Sequence, residues 1–317
     1  MTRRDIVKAA IAHTETENIP YCITFTEGTR QKIQEYIPGE DLSLGIGNYV
    51  YLLKCPWWKW SAVPECYKEF DPPSVLPAVK GEGSYEEFAE KLIYLKEQTD
   101  CYILVTIYGS HFEKAYFARG IENFLADLAY NKDFAKKLLD TIIYKNIVML
   151  ENILDFNEID GILLGSDWGS QNSLLMSPSV WRNLIAPGEL KEYELIKSAG
   201  KDVWIHSCGN IEEIIPDMID MKVDVLNPVQ PEAMDIYMLK RKYGDRIAFW
   251  GGISTQKTLP YGTPEDVKRE TNEVIRQMSK GGGYIAAPAQ SIQEDVPIEN
   301  ILALLETVRK YKRACLT

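Results

Sequence analysis

The chain has 317 residues, 45% of them hydrophobic, a length that admits either two ordinary domains or one large α/β barrel. A formal net charge of -11 excludes a general nucleic-acid binder, because neutralising phosphates needs clustered Lys and Arg. No apolar window approaches the roughly 18 residues of a membrane span, the N-terminal stretch has no signal-peptide core, and the six scattered cysteines lack the spacing of a disulfide scaffold, so a cytoplasmic protein is expected.

Short apolar runs predict strands, in chain order, at YCITF (21–25), YILVTIY (102–108), GILLGS (161–166) and DVWIHS (202–207), then at VDVLNPV (223–229), IAFWGG (247–252) and YIAAPA (284–289). Residues 133–154 carry apolar positions at three- and four-residue spacing and predict a helix. A second helix, 178–199, has Ser177 as N-cap and Pro178 in its first turn; Thr263-Pro264-Glu265-Asp266 opens a third in the same way, and 298–311 closes the chain. Strands alternating with helices predict βαβ units and a parallel sheet. Seven strands fall one short of a (β/α)8 TIM barrel, and an eighth fits near VLPAVKG (75–81). The expected architecture is therefore an α/β barrel forming a single domain over 1–317, with a doubly wound open sheet as the alternative. No GxGxxG follows the first strand, which weakens the dinucleotide-binding version of that alternative.

The rhythm breaks in an aromatic-rich N-terminal excursion, 37–82, where YVYLLKCPWWKW packs Tyr49, Tyr51, Trp57, Trp58 and Trp60 together. Such a segment is either a packed cover over one barrel end or a lid-like wall for an apolar ligand.

Ligands of parallel α/β folds sit at the carboxyl ends of the strands, so the residues following each apolar run are the site candidates. They are Glu27 after the first run, His111 after Tyr108 and Ser110, Asp167 with Trp168 and Gln171, His206 with Cys208, Asn227 with Gln230, and Gln290 after the last. His206 and Cys208, at i and i+2, point the same way on a strand, and a thiolate beside an imidazole suits zinc. Two ligands leave the alternative open: a buried histidine beside an inert thiol. Asp167 and Glu27 read equally as turn or cap partners or as working carboxylates. Ser110-His111 with Glu113 hints at a hydrolase, but nothing resembles a nucleophile elbow.

The segments DWGSQNSLLMSPSVWRNLIAP, GKDVWIHSCGNI, DVLNPVQPEAMD, FWGGISTQKTLPYGTPEDV and GGGYIAAPAQSIQEDVPIENI together resemble the uroporphyrinogen decarboxylase superfamily, and within it the corrinoid-dependent methyltransferases. The resemblance runs from about Tyr102 to the C-terminus. It implies a (β/α)8 barrel with its site at the C-terminal rim. The decarboxylases grip their substrate with an early Arg-rich motif, and the matching ITFTEGTRQKI offers only Arg30, which makes a tetracarboxylate porphyrinogen a poor substrate. In the methyltransferases the HxC motif supplies two zinc ligands and a later Cys or His a third. Here His206 and Cys208 are intact, while the third position holds Gln290, so Gln290, Glu27 or Asp167 is left to complete the zinc site.

The resemblance implies a methyltransferase moving a methyl group from a small methylated compound to the cobalt of a separate corrinoid protein that docks transiently at the barrel rim. Zinc would be the Lewis acid, Asp167 or Glu27 would orient the heteroatom or handle its proton, and Tyr108, His111, Trp168, Gln171, Asn227 and Gln230 would contact substrate. The many Trp and Tyr residues favour a methoxylated aromatic donor. Two alternatives stand beside it: a metal-free decarboxylase of a small acid, and a non-catalytic ligand-binding barrel.

Overall fold

The computed structural model describes residues 1–58, 81–82, 84–107 and 110–312. Among these the strands are β1 Val50–Lys54, β2 Trp57–Trp58, β3 Gly81–Glu82, β4 Tyr102–Ile107, β5 Gly161–Gly165, β6 Asp202–His206, β7 Val225–Val229, β8 Ala248–Ile253 and β9 Tyr284–Pro288. The α-helices are α1 Arg3–Ile11, α2 Glu27–Ile33, α3 Leu42–Gly45, α4 Tyr85–Gln98, α5 His111–Arg119, α6 Ile121–Tyr130, α7 Lys132–Ile153, α8 Pro178–Val180, α9 Ala186–Ser198, α10 Ile215–Asp220, α11 Ile236–Tyr243, α12 Thr258–Tyr261, α13 Pro264–Met278 and α14 Ile298–Lys310. Two compact units share them: Met1–Tyr51, Thr99–Ile103 and Asp224–Thr317 form one, Leu52–Gln98 and Leu104–Val223 the other.

In the second unit β4 pairs in parallel with β5, and β5 with β6, in a register that sets Gly165 opposite His206. Parallel strands covered on both faces need apolar side chains on both, which is why they read as continuous runs rather than alternating ones. Leu104, Val105, Ile162, Leu164, Val203, Trp204 and Ile205 are all at most 1% exposed. From α7 and α9, Leu138, Ile142, Ile143, Tyr193 and Ile196 are buried as well.

The expected helix 178–199 is present but not regular. Ser177 caps it, its hydroxyl accepting from Val180 N, yet Trp181–Ile185 winds as a π-turn, with Ala186 N donating to Trp181 O. Pro187 gives the physical reason: it has no N–H to offer an α-helical bond to Asn183 O, so the ladder resets beside it.

In the first unit β7, β8 and β9 form a parallel ladder, interrupted by a register shift between Leu226 and Val229. The run 21–25 lies parallel to the chain around β9 through Tyr21 opposite Ala286 and Phe25 opposite Ile292. Four steps along one segment face six along the other, so the ladder breaks and a full strand does not form. Helix α13 opens with the expected Thr263–Asp266 capping box and Pro264 in its first turn.

The excursion 37–82 contains a strand that the sequence reading missed. Val50–Lys54 forms β1, flanked by Tyr49 N donating to Tyr21 O and Tyr102 N to Tyr49 O, while Cys55 N donates to Thr106 O. The eighth strand expected at 75–81 lies outside the described residues apart from Gly81, which belongs to the short antiparallel pair β2–β3.

Candidate metal centre

Because Gly165 and His206 are opposite each other, the chain leaves β5 and β6 as two adjacent loops, Ser166–Ser170 and Ser207–Asn210. Backbone and short side chains bind the loops together. Ser166 N donates to His206 O at 2.8 Å and Asn210 N to Ser170 O at 2.7 Å, Trp168 N to Ser207 Oγ at 3.1 Å, and Cys208 N to Asp167 Oδ1 at 2.9 Å. Gly209, at φ 82°, and Gly169 make the approach possible.

This packing gathers three donors. Cys208 Sγ lies 3.4 Å from His206 Nε2, and Asp167 Oδ1 lies 3.6 Å from the same nitrogen. One ligand atom from each falls within 4.8 Å of the others. The side chains of His206 and Asp167 are 30% and 40% exposed, so solvent and small molecules reach them. A Cys–His–Asp relay needs thiol and acid on different ring nitrogens. Here both meet Nε2, which is the arrangement of ligands around a common point. Thiolate, imidazole and carboxylate on such a point, with one side open, suit a catalytic zinc ion. Glu113, 5% exposed at the start of α5, stands nearby: burial first, and then the charge of Asp167, push its carboxyl up to about 7.

The other candidates fall in different places. Trp168 is fully buried, edge-on to Trp181 with ring centroids 5.4 Å apart. His111 is buried in the same unit as the site, its Nδ1 3.0 Å from Glu189 Oε1 and its Nε2 3.1 Å from Ile185 O. Gln171 is exposed. Glu27, the exposed first residue of α2, Gln290 just after β9, and the mostly buried Asn227 and Gln230 belong to the other unit. Asn227 donates to Trp250 O at 3.3 Å. Tyr108 and Trp60 lie outside the described residues, as do the side chains of Trp57 and Trp58.

A second group, absent from the sequence reading, surrounds His111: Glu189, Glu192 and Lys114, all buried. The signal was there. Glu189, Glu192 and Tyr193 share one face of a helix with Ile196, the face that carries the core. Burial opposes charge on His111, but Glu189 outweighs it and raises its pKa. Lys114 is enclosed with them, and burial pushes the Glu192 carboxyl up to about 7, so this is a buried cluster of acids and bases rather than an open site.

The uroporphyrinogen decarboxylase (URO-D) family matches this chain over residues 75–311, well over half of it. The chain belongs to the uroporphyrinogen decarboxylase family. Its α/β fold is that family's (β/α)8 barrel type, as the strand order led one to expect. The methylated-thiol–coenzyme M methyltransferase of Methanosarcina mazei is 25% identical over 146 residues, 46% of this chain and 35% of that protein. The uroporphyrinogen decarboxylase of Vesicomyosocius okutanii is 28% identical over 82 residues, 26% of this chain and 23% of that protein. The chain thus spans about a third or less of the length of these curated relatives. Among solved structures, a methyltransferase from Methanosarcina mazei superposes with a TM-score of 0.72 at 19% identity, covering 98% of this chain and 99% of that one, and shows the same fold. Among the described residues, no helix is long and apolar enough to cross a membrane.

Proposed function

We propose that this URO-D family chain is a methyltransferase that moves a methyl group between a small methylated compound and the cobalt of a separate corrinoid protein, with zinc held by His206, Cys208 and Asp167. The observation that carries the reading is the convergence of Cys208 Sγ and Asp167 Oδ1 on His206 Nε2, at 3.4 and 3.6 Å. Similarity to a relative named for methylated thiols supports it independently.

Zinc bound there would supply Lewis acidity toward the sulfur or oxygen that gives up the methyl group. Asp167 accepts from the Cys208 backbone N–H and so holds the loop that carries the thiol. Glu113 is the buried carboxyl placed to keep a proton near neutrality on the protein side of the site. We assign Gln171 a contact to substrate. The methyl donor carries its methyl on sulfur, as the relative's name suggests, or on an aromatic ether oxygen, as the tryptophan and tyrosine content suggests. The partner is the corrinoid protein; localisation is cytoplasmic.

Purified protein is expected to hold about one zinc per chain and to methylate a reduced corrinoid protein from a methyl thioether or a methoxylated aromatic, the two donors assayed side by side. Similarity to uroporphyrinogen decarboxylases favours a second reading, decarboxylation of a small acid without metal. Activity on such an acid that survives chelation, together with no zinc in the protein, would establish that reading and remove the first.

A further inference from the structure

The buried group around His111 is tied to the metal centre by a chain of hydroxyls. Glu189 accepts at Oε2 from Tyr193 OH, 2.8 Å away, and at Oε1 from Ser110 Oγ, 2.6 Å away. Ser110 Oγ is in turn 2.5 Å from Ser166 Oγ. Ser110 has one hydroxyl proton, and Glu189 takes it, so Ser166 must donate to Ser110. The direction of the chain is therefore fixed: Ser166 to Ser110 to the Glu189 carboxylate. Every member is at most 1% exposed, so water does not substitute for a missing link.

Ser166 is where the chain meets the site. Its backbone N–H donates to the carbonyl of His206, and the next residue is Asp167. Ser110 N also donates to Gly165 O, the last residue of β5, so the start of α5 holds the same strand end twice. Glu189 itself is held from three sides, by Ser110, Tyr193 and His111, on a helix packed against α7. An anchored carboxylate thus fixes the position of a serine hydroxyl, and that serine fixes both the β5 end and the His206 carbonyl.

We propose that Glu189, acting through Ser110 and Ser166, is a positioning residue for the metal ligands Asp167 and His206. The inference rests on the metal reading above. Groups that orient ligands from behind commonly govern metal affinity by roughly 10- to 100-fold, and the hydroxyl chain is that kind of support one bond further out.

The test is a double-mutant cycle on zinc affinity, using Ser166→Ala, Glu189→Gln and the double variant, each titrated with zinc against a chromogenic chelator. Far-UV circular dichroism and thermal unfolding on the same samples identify any variant that has not folded. The expected result is zinc binding weaker by roughly 10- to 100-fold in each folded single variant. The double variant should be no weaker than the worse single one, because both changes cut one chain. A merely structural role would lower thermal stability and leave zinc affinity of the folded protein unchanged. Should Glu189→Gln fail to fold, Ser166→Ala, which removes one hydroxyl, decides the matter. Wild-type zinc affinity in folded Ser166→Ala, or losses that add in the double variant, would overturn the positioning role alone. A wild-type protein that takes up no zinc would overturn the metal reading, and this inference with it.

Discussion

Gly169 and Gly209 meet backbone to backbone in the two loops that carry Asp167 and Cys208: a Cβ on Gly209 would lie 2.5 Å from the Gly169 carbonyl carbon, and one on Gly169 would lie 2.6 Å from Cys208 O. Neither partner is a flexible side-chain tip, so neither can yield cheaply. Gly209 also holds φ at 82°, which an L side chain adopts only with strain. Gly209→Ala is therefore expected to cost about 1–3 kcal/mol of stability and to weaken zinc binding, because Cys208 is carried away from Asp167. Urea unfolding and metal titration check this; an alanine variant with unaltered values for both would show that the loops do not need their close approach.

Removing ligands should grade the metal centre. His206→Ala and Cys208→Ser are each expected to abolish stoichiometric zinc, and Asp167→Asn to weaken it without abolishing it, because the thiolate and imidazole remain. Elemental analysis after gel filtration reads the stoichiometry. Gln290→Ala is measured separately: unchanged zinc affinity excludes its side chain as a ligand.

Gly188 gives room to the buried ion cluster. A Cβ there would lie 2.8 Å from His111 Nε2 and 2.8 Å from Ile143 Cγ1, both deep in the core. Gly188→Ala should cost about 1–3 kcal/mol through overpacking, outweighing the better helix propensity of alanine. Thermal unfolding at constant pH measures it, and an increase in stability would contradict the packing.

Glu113 should make stability pH-dependent in a defined sense. Its pKa rises from 4.5 unfolded to about 7 folded, so between those values the folded protein keeps a proton that the unfolded chain has lost. Stability conferred by the neutral acid is complete below pH 4.5 and is lost as pH rises toward 7. Glu113→Gln, a mimic of the protonated acid, should match wild type at low pH and exceed it above 7 by up to about 3 kcal/mol. Urea melts at several pH values, with chelator present, give the comparison; a constant difference between the two proteins would refute it.

Much of the fold was legible because parallel strands buried on both faces cannot disguise themselves: 162–164 and 203–205 are unbroken apolar runs, and β5 and β6 sit around them, within a residue of the expected 161–166 and 202–207. β1 was hidden, since Tyr51-Leu52-Leu53 sits in an aromatic cluster where burial and strand pattern look alike. The 21–25 run has the pattern of a strand, but a sequence does not reveal that its partner takes six steps to its four. At the site, the i, i+2 spacing announced His206 and Cys208. Asp167 as their neighbour depends on contact between two loops some forty positions apart, which local pattern does not encode. Glu189 and Glu192 were missed because acidic residues on a helix ordinarily mark its wet side.

The π-turn Trp181–Ile185 has a consequence for the phase of everything after it. Each residue of an α-helix turns the chain by about 100°, so one extra residue in a turn shifts every later side chain around the axis by about that much. Glu189, Glu192 and Tyr193 face the interior in this shifted frame. Winding 181–185 as plain α-helix, with every residue kept, would swing both carboxylates about 100° around the axis and out of the core, whereas excising a single residue from that stretch would restore an even helix and leave them facing inward.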